Sequence, residues 1–277
     1  MTDQSKRSWL HGGLAMVAAG VSGCAQPGAA NRSGGPEAAA ARSPFVVPRV
    51  TLPIAANRAG DASDQVFPVR RIYCIGRNYE AHAREMGSDP RREPPFFFQK
   101  PTDAVQFVAP GGVTDHPYPS LTHNYHHEIE LVAALKSGGR DIPVAQALDH
   151  VYGYALGLDM TRRDLQRAMG AEKKPWEIGK SFDHAAPIGP IFPVALTGHF
   201  QDGALWLEVN GQRRQQARLS QMIWSVAEQI SQLSEAFELA AGDIIYAGTP
   251  ENVGPVVRGD LLRGHVDGLP DPQVRIV

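Results

Sequence analysis

A short stretch in the middle of the chain reads His126-His127-Glu128-Ile129-Glu130-Leu131-Val132. On a strand, residues two apart point to the same face, so Glu128 and Glu130 project together while Ile129 and Leu131 face the core. Two adjacent carboxylates repel each other, and their burial without a partner is costly. A hard divalent cation such as Mg²⁺, which takes oxygen ligands, relieves the repulsion. The stretch therefore indicates either a metal-binding strand or a solvated strand face that carries two acids.

A third acid lies at the end of an apolar run. Residues 151–158 have the composition of a buried strand, and Asp159 follows them directly. Asp159 either joins the two glutamates at a metal site or caps a helix over residues 160–167, because aspartate is a favoured N-cap residue. Both alternatives stay open on the residues alone.

A histidine and a glutamate share the face of a short predicted helix. Asn78 can cap a helix over residues 79–86, and Gly87 ends it. His82 and Glu85 are three residues apart on this helix. A carboxylate beside an imidazole fixes the tautomer and raises the basicity of the ring, as a general base that activates water requires. The alternative is a surface helix with an incidental pair.

A lysine forms the third candidate constellation. The segment Trp176-Glu177-Ile178-Gly179-Lys180-Ser181-Phe182-Asp183 contains Lys180. Its ammonium group can stabilise an oxyanion or a substrate carboxylate. An ordinary exposed lysine has the same sequence signal, so the residues do not separate the two interpretations.

The rest of the chain predicts a mainly β fold of the α+β class. Short β-rich or apolar runs bounded by Gly, Pro and turn residues predict strands at residues 71–76, 129–135, 151–158, 204–209 and 243–247. Asn210-Gly211 is a hairpin signal. Apolar residues at three- and four-residue spacings predict one amphipathic helix over residues 219–233. Pro-rich segments at residues 96–101 and 110–120 predict loops and edge strands.

The composition is that of a globular protein and excludes several classes of function. The chain has 277 residues, a net charge of −2 and 43% hydrophobic residues. Because it shows no basic stripe, nucleic acid is not an expected partner. The two cysteines, Cys24 and Cys74, do not make a disulfide framework. Neither a dinucleotide-binding motif nor a P-loop is present.

The N-terminal region has the layout of an export signal. Lys6 and Arg7 precede a weakly apolar Gly/Ala-rich run, and residues 21–24 read Val-Ser-Gly-Cys, which resembles a lipobox. Residues 5–10 also look like a loose twin-arginine signal. Residues 1–24 therefore predict a periplasmic or membrane-anchored lipoprotein, tethered through a lipidated Cys24. A cytoplasmic location with a disordered extension is the alternative.

A flexible linker and a catalytic domain are expected to follow the signal. Residues 25–65 are rich in Ala, Gly, Pro and Ser, and such a composition cannot bury enough apolar surface to offset the entropy of ordering. A short strand near residues 46–52 is an alternative within this linker, because several residues there favour strands. The folded catalytic domain is predicted over residues 66–277.

Taken together, the motifs resemble the fumarylacetoacetate hydrolase superfamily from residue 72 to the C-terminus. The similarity is carried by segments that occur in the same order as in that family, namely Ile75-Gly76-Arg77-Asn78-Tyr79, His127-Glu128-Ile129-Glu130-Leu131, residues 157–166, residues 179–183 and residues 242–254. Within the superfamily, the details look nearest to fumarylpyruvate hydrolases and other acylpyruvases.

The resemblance implies a mixed β-sheet roll with a short lid helix, a homodimer and a bound Mg²⁺ or Mn²⁺. Matched by position, Glu128, Glu130 and Asp159 correspond to the metal ligands. His82 and Glu85 correspond to a dyad on a lid that orders over the substrate, and Lys180 corresponds to the active-site lysine. Three further positions correspond to residues near the substrate in relatives: Arg163, Gln166 and Thr249.

The implied function is metal-dependent hydrolysis of a carbon–carbon bond in a small acylpyruvate-type diketo acid, such as fumarylpyruvate to fumarate and pyruvate. The alternatives on the same fold are a decarboxylase of oxaloacetate or other 2-oxo-diacids and a dienoate isomerase or hydratase. A non-catalytic exported binding protein is disfavoured, because a binding protein would not need the His82–Glu85 base.

Overall fold

The computed structural model describes residues 44–89 and 93–277, and strands make up most of its regular structure. The strands are β1 (Thr51–Ala55), β2 (Ala62–Pro68), β3 (Arg71–Ile75), β4 (Phe97–Lys100), β5 (Val105–Phe107), β6 (Val113–His116), β7 (Tyr125–His127), β8 (Ile129–Leu135), β9 (Val151–Leu158), β10 (Thr161–Arg162), β11 (Ala186–Ile188), β12 (Phe192–Pro193), β13 (Ala204–Val209), β14 (Gln212–Arg218), β15 (Asp243–Tyr246), β16 (Gly254–Val256), β17 (Leu261–Val266) and β18 (Gln273–Ile276). The helices are α1 (Glu80–Glu85), α2 (Val144–Ala147), α3 (Arg163–Ala171), α4 (Glu177–Lys180), α5 (Val194–Thr197) and α6 (Val226–Ala236), with 3₁₀ turns at Thr102–Ala104, Leu148–His150 and Leu219–Gln221. The prediction of a mainly β, α+β fold is confirmed.

The central eight-stranded sheet contains the two strands that carry the predicted site. Its order is β4-β3-β15-β8-β9-β11-β5, and β12 pairs with β9 beside this path. The sheet is mixed, because β3 and β15 are parallel whereas β8 is antiparallel to both β15 and β9. Every residue of β8 is buried, and so is every residue of β9 except the half-buried Tyr152. Burial on both faces explains why these strands read as continuous apolar runs rather than alternating ones.

Two further sheets complete the curled β-roll around this core. The five-stranded sheet has the order β14-β13-β17-β18-β6, and it packs through β13 on β8 and through β17 on β9. The three-stranded sheet β10-β7-β16 lies at the end where β8 begins. Asn210 and Gly211 both adopt positive φ between β13 and β14, as the predicted hairpin turn requires.

The folded region begins before residue 66, the start predicted from composition. β1 lies inside the predicted linker, where it pairs with β2 in an antiparallel hairpin. Leu52 is fully buried, and the Ala55 amide donates to the Ile191 carbonyl at 2.9 Å. Leu52, Ile54 and Ala55 of β1 are buried, but the Ala-, Gly- and Pro-rich residues before the strand dilute this apolar character in a compositional average. Residues 1–43, with the predicted signal, Cys24 and most of the predicted linker, lie outside the described residues.

The amphipathic helix is shorter than its apolar spacing predicts. α6 begins at Val226 rather than at residue 219, because Ser225 and Glu228 form a capping box that starts the helix there. Leu219 is still buried, but it belongs to the preceding 3₁₀ turn. Within residues 44–89 and 93–277, no helix combines the length and the apolar character needed to cross a bilayer.

Candidate active site

The register of β8 and β9 brings the three predicted acids together. The strands are antiparallel, with Ile129 opposite Leu158 and Glu130 opposite Gly157, so the start of β8 meets the end of β9. The Asp159 amide donates to the Glu128 carbonyl at 2.8 Å. Carboxylate oxygens of Glu128, Glu130 and Asp159 lie within 4.8 Å of one another, and all three residues are buried. Asp159 is therefore not a helix cap, and the alternative of a solvated acidic face is excluded.

Three cations lie in direct contact with these acids. Lys180 Nζ donates to Glu128 Oε2 at 2.8 Å and to Asp159 Oδ2 at 2.7 Å. Lys100 Nζ lies 2.8 Å from Asp159 Oδ1, and the Arg163 guanidinium donates to Glu128 Oε1. Lys180 is 2% exposed, which excludes an ordinary surface lysine.

The cations are unevenly shared among the acids. Burial opposes ionisation of Glu128, but Lys180 and Arg163 outweigh that effect and hold its pKa below the usual value. Burial and the neighbouring charges of Asp159 and Glu128 raise the pKa of Glu130 well above its usual value. Glu130 has no direct contact with a cation among the described residues, so its protonated form is favoured.

A divalent cation fits this donor set. All three side chains offer carboxylate oxygen, the ligand type that Mg²⁺ and Mn²⁺ prefer. Asp159 Oδ1 is buried and accepts no hydrogen bond from the described residues, although Lys100 is near it. A divalent cation among the acids would contact that oxygen and stabilise the ionised form of Glu130. The residues present fit the predicted metal, and their chemistry does not distinguish Mg²⁺ from Mn²⁺.

The His82–Glu85 pair forms as predicted, on the face of α1 that meets the acids. His82 Nδ1 lies 2.9 Å from Glu85 Oε2, and the imidazole is buried. Glu85 Oε1 accepts a hydrogen bond from the Asn252 amide at 3.1 Å, which connects α1 to the loop after β15. Asn78 does not cap α1 as predicted, because its side chain hydrogen-bonds the backbone of Trp224 and Ala247 instead.

Two of the predicted substrate-binding residues lie next to each other on α3. Arg163 is 1% exposed, and besides Glu128 its guanidinium donates to Gln166 Oε1 at 2.6 Å. The guanidinium of Arg163 thus forms hydrogen bonds with neighbouring side chains. Gln166 has only its oxygen engaged by Arg163, which leaves its amide nitrogen as a donor toward the cavity that it lines.

The third predicted substrate-binding residue, Thr249, is hydrogen-bonded by a residue of the five-stranded sheet. Thr249 lies after β15, and its Oγ1 accepts a hydrogen bond from Gln215 Nε2 at 2.9 Å. Gln215 is fully buried on β14, where its Oε1 also accepts from the Ile129 amide and meets His127 Nδ1. With its oxygen used as an acceptor, the Thr249 hydroxyl keeps its proton for a ligand.

Two glycines allow the backbone to approach the site closely. Gly248 has a φ of +101°, and its amide donates to Glu130 Oε2 at 2.7 Å. A Cβ on Gly248 would lie 2.5 Å from the Cβ of Asn78. A Cβ on Gly179 would lie 2.7 Å from the Gln166 backbone nitrogen, so glycine there lets α4 pack on α3. That packing places the following Lys180 among the acids.

Sequence reasoning missed Lys100 and Gln215 as parts of the site. Lys100 ends an edge strand in a Pro-rich segment, and its partners are distant in sequence, so no local pattern marks it. Gln215 carries a weak signal, because it occupies an inward position on an alternating strand where an apolar residue is expected. Two neighbouring histidines were also not singled out: burial lowers the pKa of His126 to about 3 and that of His127 to about 4.

Comparison with known proteins supports the interpretation of this site. The model of the fumarylacetoacetate hydrolase C-terminal family matches residues 71–277. The mitochondrial oxaloacetate tautomerase FAHD1 of Arabidopsis thaliana is 39% identical over 203 residues, which cover 73% of this chain and 89% of that protein. The mitochondrial oxaloacetate decarboxylase of Dictyostelium discoideum is 38% identical over 200 residues, which cover 72% of this chain and 90% of that protein.

A solved structure is similar over a larger share of the chain. The crystal structure of fumarylpyruvate hydrolase from Pseudomonas aeruginosa in complex with Mn²⁺ and pyruvate has a TM-score of 0.82 and 56% sequence identity, and it covers 85% of this chain and 99% of that one. The similar proteins thus include a hydrolase, a tautomerase and a decarboxylase.

The predicted periplasmic or lipid-anchored location is wrong. The two curated relatives are both mitochondrial enzymes, and the family match begins at Arg71, after the signal-like segment. The physical reason lies in the weakness of the pattern. A short Gly/Ala-rich run after two basic residues has little apolar surface, so it resembles a signal core without the strongly apolar character that makes one specific.

The fold, the buried acids and the comparisons agree with one another. The family model covers most of the described chain, and it includes every predicted site residue from His82 to Thr249. This chain belongs to the fumarylacetoacetate hydrolase family.

Proposed function

We propose that this protein is a metal-dependent hydrolase of acylpyruvates, with fumarylpyruvate as the representative substrate and fumarate and pyruvate as products. The single observation that carries the proposal is the buried His82 imidazole, held by Glu85, in the same cavity as the three carboxylates. Hydrolysis needs a base that activates water; decarboxylation of oxaloacetate needs no such base, and enolisation needs a base only to take a proton from carbon. The 56% identity to the Pseudomonas fumarylpyruvate hydrolase supports the same choice.

In the proposed site, Glu128, Glu130 and Asp159 hold the divalent cation. When bound, the cation supplies Lewis acidity toward oxygen atoms of the 2-oxo acid part of the substrate. The Gln166 amide and the Thr249 hydroxyl orient the same part of the substrate, because both present a donor to the cavity. Arg163 acts indirectly, through its contacts with Glu128 and Gln166.

The His82–Glu85 pair moves the first proton. Glu85 holds His82 Nδ1, so Nε2 is the nitrogen that takes a proton from water. The resulting hydroxide attacks the acyl carbonyl, and Lys180 stabilises the negative charge that develops on its oxygen. Cleavage of the carbon–carbon bond leaves the electron pair on the pyruvate methylene carbon, which takes a proton to give pyruvate. The hydroxyl group of the water thus ends in the carboxylic acid product, and a proton ends in the methyl group of pyruvate.

A second candidate is enolisation or decarboxylation of oxaloacetate. The curated relatives from Arabidopsis and Dictyostelium favour it, since one is an oxaloacetate tautomerase and the other an oxaloacetate decarboxylase. The same acids and Lys180 would serve this reaction, whereas the water-activating role of His82 would be unnecessary. The two candidates therefore differ in what the lid histidine does.

The test uses the full chain with Mg²⁺, with Mn²⁺ and after chelation. Each preparation is given fumarylpyruvate or oxaloacetate, and pyruvate, fumarate, carbon dioxide and the keto–enol ratio are followed. The proposal expects metal-dependent release of equal amounts of fumarate and pyruvate, at a far higher kcat/KM than any reaction of oxaloacetate. Efficient turnover of oxaloacetate with no hydrolysis of fumarylpyruvate would support the second candidate and overturn the first.

A further inference from the structure

We propose that Arg77 binds the terminal carboxylate of the acyl group, so that this site selects acylpyruvates that are dicarboxylic acids. The inference rests on the proposed function. It concerns the acyl end of the substrate, which is the part that differs between one acylpyruvate and another. It follows from a second cavity that adjoins the first, from the position of Arg77 between the two, and from an unsatisfied donor on that side chain.

The cavity around the carboxylates is too small to hold a whole acylpyruvate. Its volume is about 20 Å³. A second cavity of about 260 Å³ lies beside it. The two share Gly76, Arg77 and Phe96 in their walls, so the acyl end of a substrate held at the acids would reach the second cavity past these residues.

Arg77 occupies the junction at a backbone position that arginine rarely adopts. It directly follows the Ile75-Gly76 end of β3, and its φ is +56°. Strain of this kind in a residue other than glycine persists only where the surroundings impose it, and such residues concentrate at functional sites. Gly76 permits the approach, because a Cβ there would lie 2.2 Å from the Phe96 ring.

The Arg77 guanidinium is only partly satisfied. One terminal nitrogen donates to Ser88 Oγ, and the guanidinium carbon lies 5.4 Å from the centroid of the Phe96 ring. Its Nε is buried and has no hydrogen-bond partner among the described residues. An unpaired buried donor is costly, and a carboxylate that approached the fork of the guanidinium would satisfy it.

The acids near Arg77 do not neutralise it by direct contact. Asp89 and Glu93 line the same cavity, but no described carboxylate forms an ion pair with Arg77. Burial lowers the pKa of Arg77 and Glu93 opposes that effect, so the guanidinium stays protonated at neutral pH. Among the residues that the structure describes, Arg77 is therefore the one cation common to both cavity walls.

The experiment compares two acylpyruvates that differ at the end of the acyl chain. Fumarylpyruvate carries a terminal carboxylate, and acetylpyruvate ends in a methyl group. Arg77→Asn removes the charge and keeps the turn, because asparagine tolerates positive φ. We expect kcat/KM for fumarylpyruvate to fall about 10- to 100-fold, mainly through KM, since a charged hydrogen bond to a carboxylate is lost. For acetylpyruvate we expect a change of less than about threefold.

Two further variants control for charge and for the lid. Arg77→Lys keeps a positive charge without the bidentate fork, so we expect it to retain part of the preference for fumarylpyruvate. Arg84→Gln removes a charge from the exposed side of α1, outside both cavities, and should leave the ratio of the two substrates as in the wild type. Equal losses for both substrates in Arg77→Asn would overturn the proposal and assign Arg77 to holding the segment that contains Ser88.

A binding measurement tests the role of Arg77 even if the protein does not hydrolyse acylpyruvates. Should the wild type hydrolyse neither acid, the proposed function is wrong, and binding to the Mn²⁺-loaded protein is then measured by calorimetry with fumarate and with crotonate, which has a methyl group in place of one carboxylate. Tighter binding of fumarate that is lost in Arg77→Asn would support the subsite. Equal affinity of the two acids, or of wild type and variant, would overturn it.

Discussion

The acid cluster and helix α1 differ in what fixes their geometry. The cluster lies at the junction of two buried strands, and its acids contact Lys100, Lys180 and Arg163, which come from three other parts of the chain. α1 is six residues long, has no side-chain N-cap, and orients His82 through a contact within the same turn. Damage to the cluster should therefore affect metal binding and chemistry together, whereas damage to the helix should affect chemistry alone.

The largest effect is expected from removing one charge at the cluster. Glu130→Gln keeps the shape of the side chain and an oxygen for the Gly248 amide, but it removes a negative ligand. We expect Mn²⁺ affinity to fall at least about 100-fold and hydrolysis about 1,000-fold, because a cation is worth several kcal/mol to the reaction. Calorimetry and pyruvate release measure the two losses. Glu208→Gln on β13 is the matched control, and wild-type Mn²⁺ affinity in Glu130→Gln would exclude Glu130 as a ligand.

The next effect separates the two regions. His82→Ala should lower kcat about 100- to 10,000-fold, because it removes the proposed general base. The affinity for Mn²⁺ should stay as in the wild type, because His82 is not among the three acids. Glu85→Gln should give a smaller loss in kcat, since the imidazole remains. Full hydrolysis of fumarylpyruvate by a metal-loaded His82→Ala variant would contradict the assignment of His82 as the general base.

A smaller effect is expected on the pH dependence of the free energy of unfolding, and it arises at His116, outside both regions. Burial lowers the pKa of His116 to about 3 from 6.5, and the neutral ring lies 2.6 Å from Gln106 Oε1 and 2.5 Å from the Tyr125 hydroxyl. The folded state thus excludes a proton that the unfolded state binds below pH 6.5. Its contribution to stability is full above that pH and is lost as the pH falls toward 3, by up to about 1.4 kcal/mol per pH unit.

Urea unfolding between pH 7 and pH 5 measures this dependence. The free energy of unfolding of the wild type should fall more steeply than that of His116→Gln, which has no titrating ring. Identical slopes in the two proteins would show that His116 does not carry the dependence.

The smallest effect is expected on the solvent side of helix α1. Arg84 and Glu80 form a 3.0 Å ion pair, and both side chains are more than half exposed, at 59% and 60%. Such pairs contribute less than about 1 kcal/mol. Arg84→Ala should therefore change the urea midpoint and kcat very little. A large loss of kcat in this variant would show that α1 depends on its outer face, contrary to the comparison with the cluster.

Local patterns predicted the site well where the deciding interaction lies within one element. The strands at residues 129–135 and 151–158 were predicted with the bounds that the structure has, because continuous apolar runs reflect burial on both faces. The His82–Glu85 contact follows from helical spacing alone. The start of α6 was predicted too early, because apolar spacing continues through a 3₁₀ turn while the Ser225 capping box sets the true first turn.

The residues by themselves determined the β-rich class, the pairing of Glu128 with Glu130 and the His82–Glu85 face, since each depends on the fixed repeat of a strand or a helix. The role of Asp159 was open until the antiparallel register of β8 and β9 placed it beside Glu128. The contacts of Lys100 and Gln215 could not be predicted for the same reason, because their partners are at least 59 and 34 residues away in the sequence. Strand register and sheet packing join distant segments, and only the tertiary structure decides which of them meet.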